Sequence, residues 1–229
     1  MLSVIIPTFN TEATLVHTLA SLVPAVVDGL VQEAIIVDGG STDATFAIAE
    51  AAGARFMRAE RGRGSQLDAG ANAARGDWFL FLHGDTVLEP GWEEEVWSFT
   101  ERVDMGRRPQ AAAAFRFALD DDGLMPRLLE RLVRLRCFVL ALPYGDQGLL
   151  ISRSLYGKLG GFRPLPLMED VDLLRRLPRN RRLMLQSRAV TSAQKYCSEG
   201  YLARMLRNAA CIALYYLHVP TRVLARLYG

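Results

Sequence analysis

The sequence predicts an α/β fold in which helices flank a mainly parallel sheet. Short apolar runs alternate with segments of helical spacing over residues 1–82, which is the pattern of repeated strand, helix and strand units. Some of these runs end abruptly in polar residues and a carboxylate, as buried strands do at the carboxyl edge of such a sheet. With 229 residues, of which 50% are apolar and 23% charged, the chain is long enough for one large globular domain.

The first half is predicted to contain four strands and three helices. The strands are the apolar runs at residues 3–7, 34–38, 55–58 and 78–82. Residues 12–23 form the first helix, a second helix capped by Ser41 or Thr42 runs to residue 52, and residues 67–74 form the third. The usual handedness of such connections places these helices on both faces of the sheet.

The second half is predicted to mix strands with amphipathic helices. Residues 111–119 are expected to form an extended, antiparallel strand, and residues 149–151 a short one. Helices are predicted at residues 91–103, 127–142, 153–159 and 169–177. Residues 201–228 are predicted to form two amphipathic helices broken at Pro220, and the apolar run at residues 209–219 is too short to span a bilayer.

The cysteines and the amino terminus favour the cytoplasm. Cys137, Cys197 and Cys211 have no CxxC spacing, so neither a disulfide framework nor a zinc site is indicated. The chain begins directly with an apolar segment that no basic region precedes, so no secretory signal is expected. A reducing cytoplasm is therefore the predicted compartment.

The charge is unevenly distributed. Residues 175–229 contain eleven Lys or Arg and one acid, a net charge of +10, so the other 174 residues carry −8 of the total of +2. A basic end on an acidic body indicates attraction to the phosphates of anionic lipid or of a phosphorylated substrate. The alternative is a solvated, arginine-rich surface. Nucleic acid is not a predicted partner, because the segment lacks interleaved aromatic residues and any DNA-binding spacing.

Residues 79–86 give the strongest local indication of a ligand site. Four apolar residues lead directly into His83, Gly84 and Asp85. A carboxylate at the edge of the sheet, beside a glycine that permits close approach, suggests a divalent cation holding a diphosphate. The alternative is an ordinary turn, because these residue types are common in turns.

Four separated stretches resemble one enzyme family. The first three are similar to the opening of family 2 nucleotide-sugar glycosyltransferases, which have the GT-A fold: VIIPTFN (4–10), IVDGGSTD (36–43) and FLHGDT (81–86). The fourth, GGF (160–162) followed by MEDVDL (168–173), resembles the acceptor-side motifs of that family. The matches occur in the same order and cover about residues 2–177.

The resemblance implies a donor pocket at the ends of the first two strands. Asp38 would accept hydrogen bonds from a uracil or a ribose, and Thr8, Asn10 and Glu12 would line the same pocket, although Glu12 can instead cap the first helix. Diphosphate or donor contacts are expected from the loop residues Arg61, Arg63 and Gln66. The loop lacks the third glycine of a dinucleotide fingerprint, which disfavours a Rossmann dehydrogenase.

The resemblance also assigns a metal and a base. Asp85 would hold Mn²⁺ or Mg²⁺, with Gly84 allowing the donor to approach. His83 replaces the first acid of the DxD that is common in the family, and it either ligates the metal, which favours Mn²⁺, or hydrogen-bonds the donor. Asp170 is the expected general base, with Glu169 and Asp172 as competitors, of which Glu169 is better placed as an orienting partner or acceptor contact. The alternative is an acidic helix start that the dipole stabilises.

Acceptor contacts are expected between the FLHGDT (81–86) and GGF (160–162) motifs and in the segment after MEDVDL (168–173). Asp146 and Gln147 precede a strand where the acceptor should enter. Lys195 lies in a segment that does not match the QxxRW of processive synthases, although the side chain can still meet the diphosphate. The absent tryptophan and the lack of transmembrane helices argue against a polymerase.

The resulting hypothesis is an inverting, hexosyltransferase-type enzyme that moves one sugar from a nucleoside diphosphate donor, with UDP favoured over GDP, to an unidentified hydroxyl. Residues 1–200 would form the GT-A domain, with a donor half at about 1–100, an acceptor half at 101–200 and a helical extension at 201–229. Two rivals stay open: a polyprenyl-phosphate glycosyltransferase on the inner membrane face, and a non-catalytic nucleotide-sugar binding or scaffold protein. A peripheral membrane contact through the basic helices and a homodimer are also left open.

Overall fold

A single eight-stranded sheet forms the centre of the molecule, in a computed structural model that describes residues 1–228. The strands are β1 (Leu2–Thr8), β2 (Val31–Asp38), β3 (Arg55–Arg58), β4 (Trp78–Phe81), β5 (Thr86–Leu88), β6 (Ala112–Leu119), β7 (Leu149–Ser152) and β8 (Arg182–Thr191). Their order across the sheet is β3-β2-β1-β4-β7-β6-β8-β5. The α/β class predicted from the sequence is confirmed.

Eleven α-helices accompany the sheet in the described residues. They are α1 (Glu12–Ala20), α2 (Val23–Val27), α3 (Thr45–Ala51), α4 (Arg63–Ala73), α5 (Trp92–Asp104), α6 (Leu124–Leu140), α7 (Arg153–Lys158), α8 (Glu169–Arg175), α9 (Gln194–Glu199), α10 (Tyr201–Tyr216) and α11 (Thr221–Tyr228). The break at Pro220 occurs where the sequence predicted it. No helix among residues 1–228 has the length and apolar character needed to cross a bilayer.

The parallel half of the sheet aligns the ends of its strands. β1 pairs in parallel with both β2 and β4, and the register sets Thr8 opposite Asp38 and Ile5 opposite Phe81. The polar residues that follow β1, β2 and β4 therefore meet at one edge. Beyond β4 the sheet is mixed, because β7 runs antiparallel to both β4 and β6, and β8 is parallel to β6.

Several predicted elements differ from the observed ones. The helix expected at residues 12–23 ends at Ala20, and a separate short helix, α2, follows. β6 was expected to be antiparallel, yet its long pairing is the parallel one with β8, a strand that the sequence did not predict. Neither Ser41 nor Thr42 caps α3. Its first turn is satisfied instead by carboxylates, since the Thr45 amide donates to Asp43 and the Ala44 amide to Glu12.

Apolar side chains cover both faces of the sheet. One buried cluster includes Ile6, Leu15 and Trp92, and the other includes Ile5, Phe79 and Leu174. Both C-terminal helices join the second cluster, because Cys211 of α10 and Leu224 of α11 are fully buried in it. The described part of the C-terminal segment is thus packed onto the sheet and contributes to its core.

Candidate active site

Two adjoining cavities open at the edge where β1, β2 and β4 end. The β1 cavity is bordered by the loop after β1 and by the start of α4, and its lining includes Thr8, Asn10, Arg61, Gln66 and Gly84. The α8 cavity is bordered by the start of α8 and by the C-terminal helices, and its lining includes Tyr144, Asp146, Glu169, Asp170 and Asn208. Five residues line both cavities: Arg63, His83, Asp85, Ser192 and Lys195.

The loop after β1 is held to the loop after β2 by side-chain hydrogen bonds. Asn10 has a positive φ of 52°. Its backbone amide donates to the Ser41 hydroxyl, and its side-chain oxygen accepts from the Thr42 backbone amide. The Arg61 guanidinium stacks 3.6 Å from the centre of the Phe9 ring. The β1 cavity therefore has one wall that carries a cation and an aromatic face.

The carboxylate of Asp38 accepts four hydrogen bonds from within the protein. Its 1% exposed carboxylate accepts hydrogen bonds from the Thr8 and Ser41 hydroxyls and from the Gly40 and Ser41 amides. Burial alone would raise the pKa of Asp38, but these hydrogen bonds hold it below its ordinary value. A carboxylate has about four acceptor positions, so Asp38 must release a bond before it can bind a base or a ribose.

Two further residues predicted at the donor pocket support its walls. Glu12 does not line the β1 cavity, and it caps α3 rather than its own helix. Gln66 does line the cavity, yet its amide donates to the Thr8 and Val37 carbonyls at 2.9 and 2.7 Å. This bridge fixes the ends of β1 and β2 relative to α4. Glu12 thus lies outside the lining of the β1 cavity, and its direct contact with the donor stays a prediction.

Asp85 and His83 occupy the junction of the two cavities. The carbonyl of Asp85 accepts from the Ser192 amide at 3.1 Å, which fixes the segment after β4 against the end of β8. Burial, with the charges of Arg63 and Lys195, holds the pKa of His83 well below its ordinary value. The imidazole is therefore neutral at pH 7 and keeps one nitrogen that can accept a proton or a metal.

The junction suits a divalent cation only when a ligand supplies further oxygens. Residues 1–228 contain no group of three or more His, Cys, Asp or Glu side chains that could hold an ion by themselves. One carboxylate and one neutral imidazole are nevertheless usual donors to Mn²⁺, with phosphate and water completing the set. Gly84 contributes less open space than expected, because a Cβ there would lie 3.3 Å from the Thr11 methyl.

Two adjacent carboxylates begin α8. Met168 precedes them with a φ of +66°, a strained value that turns the chain into the helix. Glu169 is 2% exposed, one of its oxygens has no hydrogen-bond partner, and Arg63 lies 3.7 Å away. Burial and then the charge of Asp170 raise the pKa of Glu169 against the opposing effect of Arg63. Asp170 accepts the Gly145 and Val171 amides at 2.6 and 2.7 Å, which leaves one lone pair on each oxygen.

The GGF segment anchors α8 to the rest of the sheet. The Tyr156 hydroxyl accepts from the Phe162 amide at 2.9 Å and donates to Asp68 at 2.8 Å. Phe162 packs edge-on against Phe81 with ring centres 4.8 Å apart. Arg176 then bonds the Gly161 carbonyl and Asp172. The segment therefore positions the start of α8 and does not itself line the α8 cavity.

Asp146 and Gln147 have different surroundings although they are neighbours. Asp146 lines the α8 cavity, and its Oδ1 is buried without a hydrogen-bond partner. Gln147 is 1% exposed and lies away from that cavity, since its amide donates to the Phe115 carbonyl and accepts from Arg136 and the Tyr144 amide. Gln147 therefore fixes the loop that presents Asp146 and lies outside the cavity lining, and its acceptor contact stays a prediction.

Sequence reasoning missed one wall of the α8 cavity. It is formed by α9, α10 and α11 through Tyr196, Arg204, Asn208, Cys211, Ile212 and Tyr228. No motif marks these residues, and their only signal was the amphipathic pattern of the two C-terminal helices. Lys195 is placed by the same segment, at the junction that both cavities share.

Asp146 makes a pH-dependent contribution to stability. Burial raises its pKa from 3.8 to about 6, so the folded state favours the protonated carboxyl. The folded protein is therefore most stable with respect to this group below pH 4, and that stability is lost as the pH rises through 6. We expect the free energy of unfolding of Asp146→Asn to exceed that of the wild type by up to about 3 kcal/mol at pH 7.5 and to equal it near pH 4. Urea unfolding without metal or nucleotide measures both. A variant advantage that is the same at both pH values would contradict the assignment.

A model of the family Glycosyl transferase family 2 matches residues 3–106. Glucosyl-3-phosphoglycerate synthase from Mycobacterium tuberculosis is 38% identical over 95 residues, which cover 38% of this chain and 29% of that protein. The synthase from Mycolicibacterium paratuberculosis is equally similar over the same shares. The matched segment thus spans less than a third of the length of these curated relatives.

Solved structures resemble a larger part of the chain. The M. tuberculosis synthase in complex with Mn²⁺, UDP and glucosyl-3-phosphoglycerate superposes with a TM-score of 0.57 at 26% identity, covering 84% of this chain and 70% of that one. Its complex with Mg²⁺ and UDP gives a TM-score of 0.58 at 25% identity, covering 84% and 69%. Staphylococcus aureus TarS in complex with UDP-GlcNAc has a TM-score of 0.59 at 18% identity, covering 83% and 58%, and shows a common fold.

Proposed function

This chain belongs to glycosyl transferase family 2 and has the GT-A fold, and we propose that it transfers one sugar from a UDP-sugar to an acceptor hydroxyl with inversion. The observation that carries the proposal is the junction of the two cavities. Asp85 lines both a cavity suited to a nucleotide diphosphate and a cavity whose lining includes the adjacent carboxyl groups of Glu169 and Asp170. A sugar at the junction would face both a leaving group and an incoming hydroxyl.

The β1 cavity is the proposed donor site. Related structures contain UDP with Mn²⁺ or Mg²⁺, and the junction offers donors suited to either ion. We assign Asp85, with His83, to the cation, which when bound offsets the charge that develops on the departing diphosphate. Arg61, Arg63 and Lys195 supply fixed positive charge along the same path. Thr8 and Asn10 would face the nucleoside, and Asp38 would orient the loop that carries them.

Asp170 is the proposed general base. Each of its oxygens keeps a lone pair after accepting a backbone amide, so it can take the proton of an acceptor hydroxyl within the α8 cavity. Glu169 faces Arg63 and would orient the acceptor or its neighbouring carboxylate. Inversion is supported by the arrangement of the cavities, because the acceptor side and the donor side adjoin the junction from different walls.

The surroundings of the enzyme are also proposals. The free state of Cys137, Cys197 and Cys211 supports a cytoplasmic location. Three exposed leucines support either a peripheral membrane contact or a homodimer: Leu202 and Leu206 on α10, and Leu217 directly after it. The residues from 200 onward carry no acid, which agrees with attraction to an anionic membrane face. A polyprenyl-phosphate acceptor is the second candidate that these helices favour.

Nucleotide release tests the proposed function. The protein would be incubated with UDP- and GDP-sugars and Mn²⁺ across a panel of hydroxyl acceptors, and UDP binding measured by calorimetry. We expect UDP-sugar turnover, and we expect Asp85→Asn to weaken Mn²⁺-dependent UDP binding by about tenfold or more. The control is Asp77→Asn, whose carboxylate is 81% exposed and precedes β4 at the opposite edge of the sheet.

Two outcomes would contradict the proposal. If no nucleotide sugar is bound or turned over, or if Asp85→Asn behaves like Asp77→Asn, the donor site is misassigned. If donors bind without turnover with any acceptor, and Asp170→Asn changes nothing, the protein is a nucleotide-sugar binding protein.

A further inference from the structure

The polar groups of the α8 cavity indicate which class of acceptor it takes. We infer that the acceptor is an uncharged, polyhydroxylated molecule, held through its hydroxyl protons by Asp146, Glu169 and Asn208. The inference rests on the proposed function, because it identifies the second substrate of the same site. It concerns the part of the α8 cavity that lies away from the five residues shared with the β1 cavity.

This part of the cavity is acidic. Its lining contains the carboxyl groups of Asp146, Glu169 and Asp170, and two guanidinium groups lie beside them, that of Arg204 and, 3.7 Å from Glu169, that of Arg63. Arg204 is already engaged, since it pairs with Glu199 at 2.7 Å and donates to the Tyr228 hydroxyl at 2.7 Å. A phosphate or carboxylate entering here would meet carboxyl groups whose ionised forms repel it in partly buried surroundings, which is costly.

Three buried oxygens in the cavity lack partners. The oxygens without a hydrogen-bond partner are Asp146 Oδ1, Asn208 Oδ1 and Glu169 Oε1, the last of which lies 3.7 Å from the Arg63 guanidinium, and each residue lines the α8 cavity. A buried acceptor without a donor costs about 1–3 kcal/mol, so a ligand that supplies O–H groups recovers this free energy. A hydroxyl offers one proton, whereas an ionised phosphate offers only acceptors. The oxygens therefore select for a molecule with several hydroxyls.

Apolar surface completes the cavity beside these oxygens. Tyr144, Tyr196 and Tyr228 line it with aromatic rings, and Leu167 and Ile212 add aliphatic side chains. The Tyr144 ring is held by the Arg136 guanidinium, 3.4 Å from the ring centre. Flat apolar walls beside hydroxyl acceptors match a molecule that has both C–H and O–H faces, as a sugar or a cyclic polyol does.

The inference separates this chain from the solved relative that contains an anionic acceptor. The M. tuberculosis synthase has been seen with phosphoglyceric acid, and its sequence is 26% identical to this one over the superposed part. The inference also counts against a polyprenyl-phosphate acceptor, whose phosphate would have to enter the acidic part of the cavity. The basic C-terminal helices would then bind something other than the acceptor.

Matched acceptor pairs test the inference in the full-length protein. UDP release from UDP-glucose with Mn²⁺ would be followed with glycerol and glycerol 3-phosphate, with methyl glucoside and glucose 6-phosphate, and with a short polyprenol and its phosphate. For at least one polyol pair, we expect UDP release to be faster with the neutral member than without any acceptor. We expect that rate to exceed the rate with the phosphorylated member by at least about tenfold. Asp146→Asn should lower this ratio, because it removes a repelling charge.

The outcomes are distinguishable from failure of the proposed function. UDP-glucose binding by calorimetry is measured first, and its loss would refute the donor site alone. If the donor binds and a phosphorylated member is preferred, the inference is overturned while the glycosyltransferase proposal stands. The inference is equally overturned if no neutral polyol accelerates UDP release, or if Asp146→Asn leaves the ratio unchanged in a variant that unfolds as cooperatively as the wild type.

Discussion

Asp170→Asn is expected to lower kcat by about 10²- to 10⁴-fold while UDP-sugar binding stays near the wild-type value. The carboxylate is the proton acceptor in the proposed reaction, and an amide cannot take that role. The amide also loses one of the two backbone hydrogen bonds that Asp170 accepts, so the variant should be less stable by about 1 kcal/mol. Single-turnover rates and calorimetric UDP binding separate the chemical effect from the structural one.

Asp172→Asn is the matched control for Asp170→Asn. Asp172 lies in the same first turn of α8 and does not line either cavity, since it pairs with Arg163 and Arg176. If the acids only stabilise the helix start through its dipole, the two variants should lose stability and activity alike. If Asp170 is the base, only Asp170→Asn should have a strongly lowered kcat. Equal kcat values for the two variants would refute the assignment.

The parallel half of the fold was predictable because its strands are continuous apolar runs. β4, and the C-terminal parts of β1 and β2 after Ser3 and Glu33, are largely buried, so each appears in the sequence as a continuous apolar run with a polar end. β8 was missed because Arg182, Gln186 and Arg188 interrupt it on its partly exposed faces. Its parallel pairing with β6 joins residues about 70 apart in the chain, and no local pattern specifies such a pairing.

The site was predictable as far as motifs reached. Asp85, His83 and Asp170 could be proposed because each lies in a short pattern at the end or start of an element, and all three line the α8 cavity. A polar residue at such a position can bind a ligand or brace the backbone, and only its partners distinguish the two uses. Gln147 illustrates the second use, since buried carbonyl and amide groups occupy its side chain. The wall that contains Asn208 was missed because tertiary packing alone brings α10 to the cavity.

Gly64→Ala is expected to destabilise the protein and to impair the site together. Gly64 lies in the first turn of α4, and a Cβ there would overlap the backbone oxygen of Arg163 and lie 3.4 Å from the Glu169 Cβ. Overpacking against a backbone atom costs up to about 3 kcal/mol, and the better helix propensity of alanine returns about 1 kcal/mol. The net loss of about 2 kcal/mol should lower Tm by about 4–8 °C.

The effect on activity follows from the position of the neighbouring arginine. Relieving the overlap moves the start of α4 away from α8, and Arg63 then separates from Glu169, which it approaches at 3.7 Å. We expect weaker UDP-sugar turnover in Gly64→Ala even at temperatures where the variant is fully folded.

Gly157→Ala is the control, because that glycine is also helical, in α7, and its Cβ would meet no atom within 4 Å. The control should be slightly more stable than the wild type and equally active, since it gains helix propensity without a contact. A Gly64→Ala variant that shares this behaviour would contradict the close approach of α4 to the Arg163 carbonyl and to the start of α8, and the Arg63 and Glu169 pairing would lose its structural basis.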